Sequence, residues 1–415
     1  MTTTAETTAW SPPELPRPAP VREWLIEKMF RFGVRTMPIT AALPGGERFG
    51  GGGSTAPVMR IERPGAFFRR LAVCGPIGFS ESYVAGEWTS SDPAAVLVPF
   101  AERLTKPVNR PMAVFRRWAD QRVPASERNT VEGAKENVRR HYDLPSEFFA
   151  LFLDESMTYS AALFEPGADL HSAQLRKIDA VLDQARVGEG SRVLEIGSGW
   201  GALALRAAER GAEVTTATIS AEQRRFVAQL VDAAGLAGRV RVLAHDYREL
   251  EGGYDAVVSV EMIEAVGMEY WPTYFSALER LLAPGGHVVL QTITMSHDRM
   301  LATKDVHTWI QKYVFPGGQV LSVRAVEEQA HQAGLTITAR RSLGDSYART
   351  LRCWRDRLYA NRDEAMALGF GGTFLRTWEY YLAYAEAGFR AAHLDAWQFR
   401  LSRGCPTDGP TRPTE

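Results

Sequence analysis

Val193-Leu-Glu195-Ile-Gly197-Ser-Gly199-Trp-Gly201-Ala202 places an acid two residues before three glycines on alternate positions. The apolar run before the glycines reads as a buried strand, and the Ala/Leu-rich run after them propagates as a helix. Glycine tolerates positive φ, and its missing Cβ lets a ligand approach the backbone beside the free amides of a helix N-terminus. A turn of that kind holds a nucleoside cofactor. Gly197-x-Gly199-x-x-Ala202 also fits the looser dinucleotide fingerprint. A nicotinamide site, however, wants an acid about 20 residues on, at the end of the next strand. Here Glu213 to Ile219 runs into Ser220 and no carboxylate closes it. Glu195 stands where it reaches a cationic amino-acid tail, and S-adenosylmethionine carries such a tail and no phosphate. A plain tight turn of an α/β protein is the remaining reading.

Further groups along the chain suit the same ligand. Thr218-Ile-Ser220-Ala-Glu-Gln223 offers hydroxyls and an amide to a ribose. Asp246 is expected to accept from an adenine amino group while Tyr247 stacks on the base. His141-Tyr-Asp143 precedes Phe148-Phe149-x-x-Phe152-Leu-Asp154 and Met157-Thr-Tyr159-Ser160, a pattern for an amphipathic helix over the pocket. Tyr159 and Ser160 would be hydroxyl partners for the charged tail, and Phe148 and Phe152 fit core packing equally well. Glu261-Met-Ile-Glu264 puts two carboxylates three apart, on one side of a helical turn after the fourth strand. Glu261 can simply cap or pair with a base there, so Glu264 is expected to carry the chemistry.

The elements that position these residues form an α/β domain. Strands are expected near 193–196, 213–219, 240–244, 254–260 and 286–293, completed by 335–341 and 396–401. Helical patterns between them predict a doubly wound sheet with its ligand beyond the strands' carboxyl ends. The helical region Tyr347 to Arg390 exceeds an ordinary connection and, with residues 296–330, is expected to build a lid or substrate wall. Ahead of this domain a small α+β unit occupies residues 56–100, with Phe67, Phe68 and Phe79 as core candidates. Gly45-Gly46 and Gly50 to Gly53 read as a flexible loop, and Trp24, Leu25, Met29 and Phe32 share the apolar face of a preceding helix.

Composition sets outer limits. The chain has 415 residues, 45% of them hydrophobic, which fills a large core and a smaller one. A net charge of −1 excludes a generally basic, nucleic-acid-coating protein, so any basic surface is local. From Arg103 to Arg140 ten Lys or Arg face four Asp or Glu, interleaved with Phe115 and Trp118. That segment suits an anionic bilayer, and an arginine-rich linker is the plainer reading. Cys74, Cys353 and Cys405 are too scattered for a disulfide framework or a metal knuckle, so no metal is expected and a cytoplasmic setting fits. The N-terminus has no secretory pattern and no run reaches membrane-span length. The expected division is a disordered tail over 1–20, a lipid-associating domain over 21–125, a methyltransferase domain over 130–403 and a flexible tail over 404–415.

Taken together, His141-Tyr-Asp143, Tyr159-Ser160, Glu195-Ile-Gly-Ser-Gly-Trp-Gly201, Thr218-Ile-Ser-x-x-Gln223, Asp246-Tyr-Arg248, Glu261-Met-Ile-Glu264 and Lys312-Tyr-Val-Phe-Pro-Gly317 resemble the cyclopropane-fatty-acyl-phospholipid synthase family. The resemblance runs from about residue 60 to Arg403. It implies a seven-stranded Rossmann-like class I methyltransferase domain with helical lid insertions. It also implies S-adenosylmethionine-dependent methyl transfer to a cis double bond of a phospholipid acyl chain. Peripheral attachment to the inner face of an anionic membrane, a possible homodimer and a downstream reductase go with it, and no nucleic acid. Members bind a bicarbonate ion as base; its ligands here would be Glu264, Tyr347, the backbone at Ala161 and Ile293, and Gln291 in place of a histidine. Ala161 replaces a common cysteine, and Ala265 a common histidine. Those departures incline the reading toward the branch that makes 10-methylene chains on the way to tuberculostearic acid, with cyclopropane formation as alternative. Tyr313, Phe315, Tyr347 and Trp354 are candidates to face a carbocation. A small-molecule methyltransferase and a catalytically silent lipid-binding protein also stay open.

Overall fold

The computed structural model describes residues 12–105 and 144–404, with 121–122, 124, 130 and 133 between them. His141-Tyr-Asp143, most of the basic stretch ending at Arg140, and the terminal segments 1–11 and 405–415 lie outside the described residues.

The N-terminal unit is a sheet of β1 (Thr40–Ala42), β2 (Arg48–Phe49), β3 (Val58–Ile61) and β4 (Trp88–Thr89) in the order β2-β1-β3-β4. Helices Pro20–Val34, Pro64–Val84 and Pro93–Thr105 accompany it. Phe67, Phe68 and Trp88 are buried at its centre, and Phe79 packs on Trp88 at 5.3 Å. The helix Pro64–Val84 is interrupted at Gly75, whose φ of 56° breaks the helical path just before Pro76. The loop at Gly50 to Gly52 is not free, contrary to expectation. Its backbone lies so close to Ile39 and Arg35 that a Cβ on Gly50 would stand 2.0 Å from Ile39 O, and one on Gly51 2.6 Å from Arg35 O. Nor is the whole of 1–20 loose: Arg70 donates to Glu14 O at 2.9 Å and to Pro13 O at 3.2 Å, and the helix begins at Pro20.

A short strand β5 (Gln121–Arg122) pairs antiparallel with β11 (Val306–His307). The main sheet comprises β6 (Arg192–Ile196), β7 (Glu213–Ala217), β8 (Val240–Leu243), β9 (Tyr254–Val260), β10 (Leu282–Met295), β12 (Leu335–Ser342) and β13 (Leu394–Arg403). Their order is β12-β13-β10-β9-β6-β7-β8, seven strands as expected. β10, β9, β6, β7 and β8 run parallel, and β13 is antiparallel to both neighbours. The parallel strands are apolar on both faces, with Val193, Leu194, Val257 and Val258 fully buried, because helices cover both sides. The strand order reverses between β6 and β9, and crevices for ligands open at such reversals. Glu195 and Glu261 stand at the carboxyl ends of these two strands.

Helices Gly344–Ala360, Arg362–Ala367 and Gly372–Arg390 form the expected wall over that edge. The helix Val323–Gln332, expected as lid, belongs to the sheet's cover instead: Ala325, Val326 and Ala330 are buried in one cluster with Leu335, Phe399 and Leu401. The wall is fastened to the N-terminal unit. Glu81 accepts from Lys312 Nζ at 2.6 Å and Tyr313 OH at 2.7 Å, Tyr380 OH donates to Ser80 Oγ at 2.9 Å, and Arg355 pairs with Asp92 at 2.8 Å.

Behind Glu81 lies a buried ion pair, Arg70 with Glu87, joined at 2.7 and 3.1 Å with both side chains 2% exposed. Removing Glu87 takes away the nearer carboxylate of the buried Arg70 and leaves it only Glu81 at 3.7 Å and two backbone carbonyls. Glu87→Ala should therefore cost about 3–5 kcal/mol, seen as a lowered thermal unfolding midpoint. An unchanged midpoint would show that the pair does not hold this unit.

Candidate active site

The turn after β6 makes the floor of a cavity bounded by Met157 to Ser160, Lys177, Glu195 to Leu203, Thr218, Gln223, Asp246, Tyr247 and Glu261. Gly197, Gly199 and Gly201 have φ of 94°, 48° and 94°, all left-handed, where side chains carrying a Cβ are strained. A Cβ on Gly197 would meet Met262 Cγ at 2.4 Å, whereas one on Gly199 meets nothing within 4 Å. Gly199 is thus the point where the backbone lies open to a ligand, beside the helix Ala202–Glu209. Ser220 does not line this cavity. It caps the helix Ala221–Ala233, accepting from Gln223 N at 3.2 Å, because a strand-to-helix junction needs a side-chain acceptor for its orphan amides. Thr218 and Gln223 do line it, joined by a 2.8 Å bond.

Asp246 and Tyr247 reach the same cavity. Asp246 accepts a fork from Arg248, with Nε and Nη2 both at 2.7 Å, so an adenine amino group would have to share the carboxylate. Tyr247 packs edge-on against Tyr274 at 5.0 Å. Glu195 is buried, and Thr216 Oγ1 donates to it at 2.6 Å. Burial pushes its carboxyl up to about 8, with Thr216 and the Lys177 charge pulling it back.

The carboxylate at the centre is Glu261, not Glu264. Glu261 Oε1 accepts from Ala161 N at 2.9 Å and from Gln291 Nε2 at 2.8 Å, while Oε2 accepts from Tyr347 OH at 2.6 Å. Ala161, Gln291 and Tyr347 are three of the five groups that the family resemblance assigns to a bicarbonate ion, and here they hold the protein's own Glu261 side chain. Burial first, opposed by these three donors, raises its affinity for a proton. Glu261 directly follows β9 with φ of 53°, a left-handed conformation that costs a residue with a Cβ of the order of 1–3 kcal/mol. Gln291 is oriented by a chain of amides, Gln184 Nε2 to Gln398 Oε1 at 2.7 Å and Gln398 Nε2 to Gln291 Oε1 at 3.0 Å. With its oxygen occupied, its NH₂ faces Glu261.

Glu264, one 3₁₀ turn on, does not line the cavity. Its Oε1 accepts from Ile293 N at 2.5 Å and Thr292 Oγ1 at 2.9 Å, and its buried Oε2 has no partner among the described residues. Burial and the charge of Glu261 push it up to about 8. Beside the left-handed residue at 261 the two carboxylates take different donors while their charges still act on each other.

Lys177 went unnoticed in the sequence. It is 2% exposed, donates to Ser160 Oγ at 2.8 Å, and its ammonium is lowered to about 8 by burial against the pull of Glu261, Asp154 and Glu195. Gln174, one turn earlier on the helix Leu170–Gln184, holds Ser160 O at 2.8 Å. Two polar residues on that helix's apolar side were the available signal. Tyr159 OH is engaged by Tyr381 OH at 2.9 Å, also unforeseen.

Phe148, Phe149 and Phe152 are fully buried, Phe148 against Phe370, Phe374 and Trp378, so for Phe148 and Phe152 the core reading is right. Of the aromatics proposed for a carbocation, Tyr313 is turned away, its hydroxyl bound to Glu81. Phe315 packs on Tyr381 at 5.7 Å, and Trp354 lies 5.2 Å from Tyr159.

Residues 129–399 match the profile of the mycolic acid cyclopropane synthetase family. The chain is 46% identical over 391 residues to tuberculostearic acid methyltransferase UfaA1 of Mycobacterium tuberculosis, covering 92% of each. It is 31% identical over 366 residues to the cyclopropane-fatty-acyl-phospholipid synthase of Escherichia coli, covering 85% of this chain and 89% of that one. Among solved structures, mycolic acid cyclopropane synthase CmaA1 complexed with SAH and CTAB superposes with a TM-score of 0.60 at 34% identity, over 64% of this chain and 97% of that one. The chain belongs to the mycolic acid cyclopropane synthetase family.

Proposed function

We propose that the protein transfers a methyl group from S-adenosylmethionine to the cis double bond of an oleoyl-type phospholipid acyl chain, giving a 10-methylene branch, with Glu261 as proton acceptor. The observation that carries this reading is the Glu261 carboxylate held by Ala161 N, Gln291 and Tyr347 on the edge of the cofactor cavity. The open backbone at Gly199 and the acid at Glu195 suit S-adenosylmethionine, which when bound supplies an electrophilic methyl group and leaves a carbocation on an alkene that accepts it. Trp354 and Tyr347 offer apolar ring faces nearby, which favour such a cation without reacting with it. Glu261 then receives the proton whose loss ends the reaction. Tyr347 and the Gln184-Gln398-Gln291 chain keep its lone pairs aimed. If the cation first moves by hydride shift to the methyl-bearing carbon, loss of a proton from the methyl group gives a methylene branch on the chain; without the shift, loss of the same proton lets the methyl carbon bond to the cationic carbon and closes a cyclopropane.

Likeness to the UfaA1 methyltransferase favours the methylene product, and the Escherichia coli relative favours the cyclopropane. Mass spectrometry of derivatised lipids from expressing cells separates the two. A bicarbonate base fits poorly, since Glu261 takes three of its five expected ligands, Ala161 N, Gln291 and Tyr347, and Ile293 N is bound to Glu264. A methylene becomes a methyl branch only by reduction, so a reductase would act on the product. Work on phospholipid places the protein at the bilayer surface, and among the described residues no helix is long and apolar enough to cross it.

Loss of the base should be visible in turnover alone. Glu261→Gln is expected to lose on the order of a hundredfold in rate while cofactor affinity survives, the usual size of a general-base contribution. Glu261→Gly suits the left-handed backbone and leaves the three donors around an emptied carboxylate position, so added formate should restore part of the rate. Glu264→Gln keeps the acceptor for Ile293 N and should cost less than about tenfold. A wild-type rate in Glu261→Gln would move the base elsewhere.

Cofactor binding should also release protons. With Glu195 pushed up to about 8, the free protein holds it largely protonated at neutral pH. A cationic ligand favours the carboxylate, and it likewise favours neutral Lys177, lowered to about 8. Affinity for S-adenosylmethionine should therefore rise with pH and level off above about pH 8. Calorimetry at neutral pH in buffers of different ionisation enthalpy should show proton release. A binding enthalpy independent of buffer would contradict this.

A further inference from the structure

The helix Pro20–Val34 is apolar on two opposite sides. Inward, Phe30 packs edge-on against Phe67 and Phe68 at 5.3 and 5.9 Å, and Val34 is buried. Its acids are engaged: Glu23 pairs with Arg69 at 3.2 Å and Glu27 with Arg31 at 2.8 Å. The residues expected to form the buried face turn outward instead. Val21, Trp24 and Phe32 are 81%, 61% and 75% exposed, and Leu25 and Met29 are exposed beside them, because Phe30 and Val34 already fill the inner side. At 3.6 residues per turn the outward residues span roughly 140° of the helix. Lys28 and the capping residue Arg35 fall within that arc and Arg22 at its edge; all three are exposed, and no acid falls there.

We infer that this face seats in the interfacial layer of an anionic lipid bilayer, Trp24 and Phe32 entering the acyl boundary while Arg22, Lys28 and Arg35 lie at the phosphates. The inference rests on the lipid reading of the site for its choice of partner. Aromatic and aliphatic side chains rimmed only by cations match that interface. A second copy docking the same face would bring Lys28 and Arg35 against their own equivalents, a like-charge contact with no acid to relieve it.

The test is co-sedimentation of full-length wild type and Trp24→Ser/Phe32→Ser with phosphatidylglycerol and phosphatidylcholine vesicles, at low and high salt. Beside it run thermal unfolding, sedimenting mass, and turnover of detergent-dispersed phospholipid. We expect the variant's partition onto phosphatidylglycerol to fall about tenfold or more, with unfolding midpoint, mass and detergent-dispersed turnover unchanged. Wild type should prefer phosphatidylglycerol and lose it with salt. Unchanged partition of the variant overturns the inference. If its midpoint also falls, the face is covered by the chain itself; if its mass halves, by a second copy. Vesicle binding that depends on these residues, with no methylation of any phospholipid, would sink the substrate reading and leave this one standing.

Discussion

Dry carboxylates set the terms for this active site. Glu195, Glu261 and Glu264 converge at the carboxyl edge of β6 and β9, where burial disfavours their charge, and Glu195 and Glu264 are pushed up to about 8. Isolated ionised carboxylates cannot persist in such a place, so each must be hydrogen-bonded, neutralised or paired. Glu261 takes the first course with three donors, Glu195 has Thr216 with the Lys177 charge near it, and Glu264 spends one oxygen on Ile293 N and Thr292 and leaves the other bare. At the strained backbone of Glu261 its carboxylate lines the cavity, and that of Glu264 does not.

Holding a base at fixed geometry demands stiffness around it, and the surrounding structure supplies that. Ala161 N is fixed because Gln174 and Lys177 grip Ser160 from below. Tyr347 rides on the helix Gly344–Ala360, whose Arg355 also reaches Asp92 of the N-terminal unit. Glu81, on the same unit, ties down Lys312 and Tyr313. The N-terminal unit therefore braces the wall over the catalytic edge as well as presenting a surface of its own.

The sheet and the glycine turn were legible in the sequence because apolar runs, glycine spacing and strand-to-helix order are local signals. The contents of the catalytic pocket were legible as a set, since Ala161, Gln291 and Tyr347 do come together. What sequence could not show was their occupant. Whether Glu261 or Glu264 faces the cavity turns on a single left-handed φ, which leaves no mark on spacing. Lys177 carries no motif that separates it from a surface cation of an amphipathic helix, and only its burial marks it. The helix Pro20–Val34 misled for a related reason: periodicity locates an apolar face but not the side on which the core lies.

The proposed mechanism puts a carboxylate of the chain where a dissolved one would otherwise serve, and that is the point on which it is most exposed. The decisive measurement is turnover of wild type on oleoyl phospholipid in buffer stripped of carbon dioxide and bicarbonate, compared with the same buffer after bicarbonate is restored. With Glu261 as proton acceptor the two rates should be equal. A rate that collapses on stripping and returns with bicarbonate would show that the free ion, not Glu261, takes the proton.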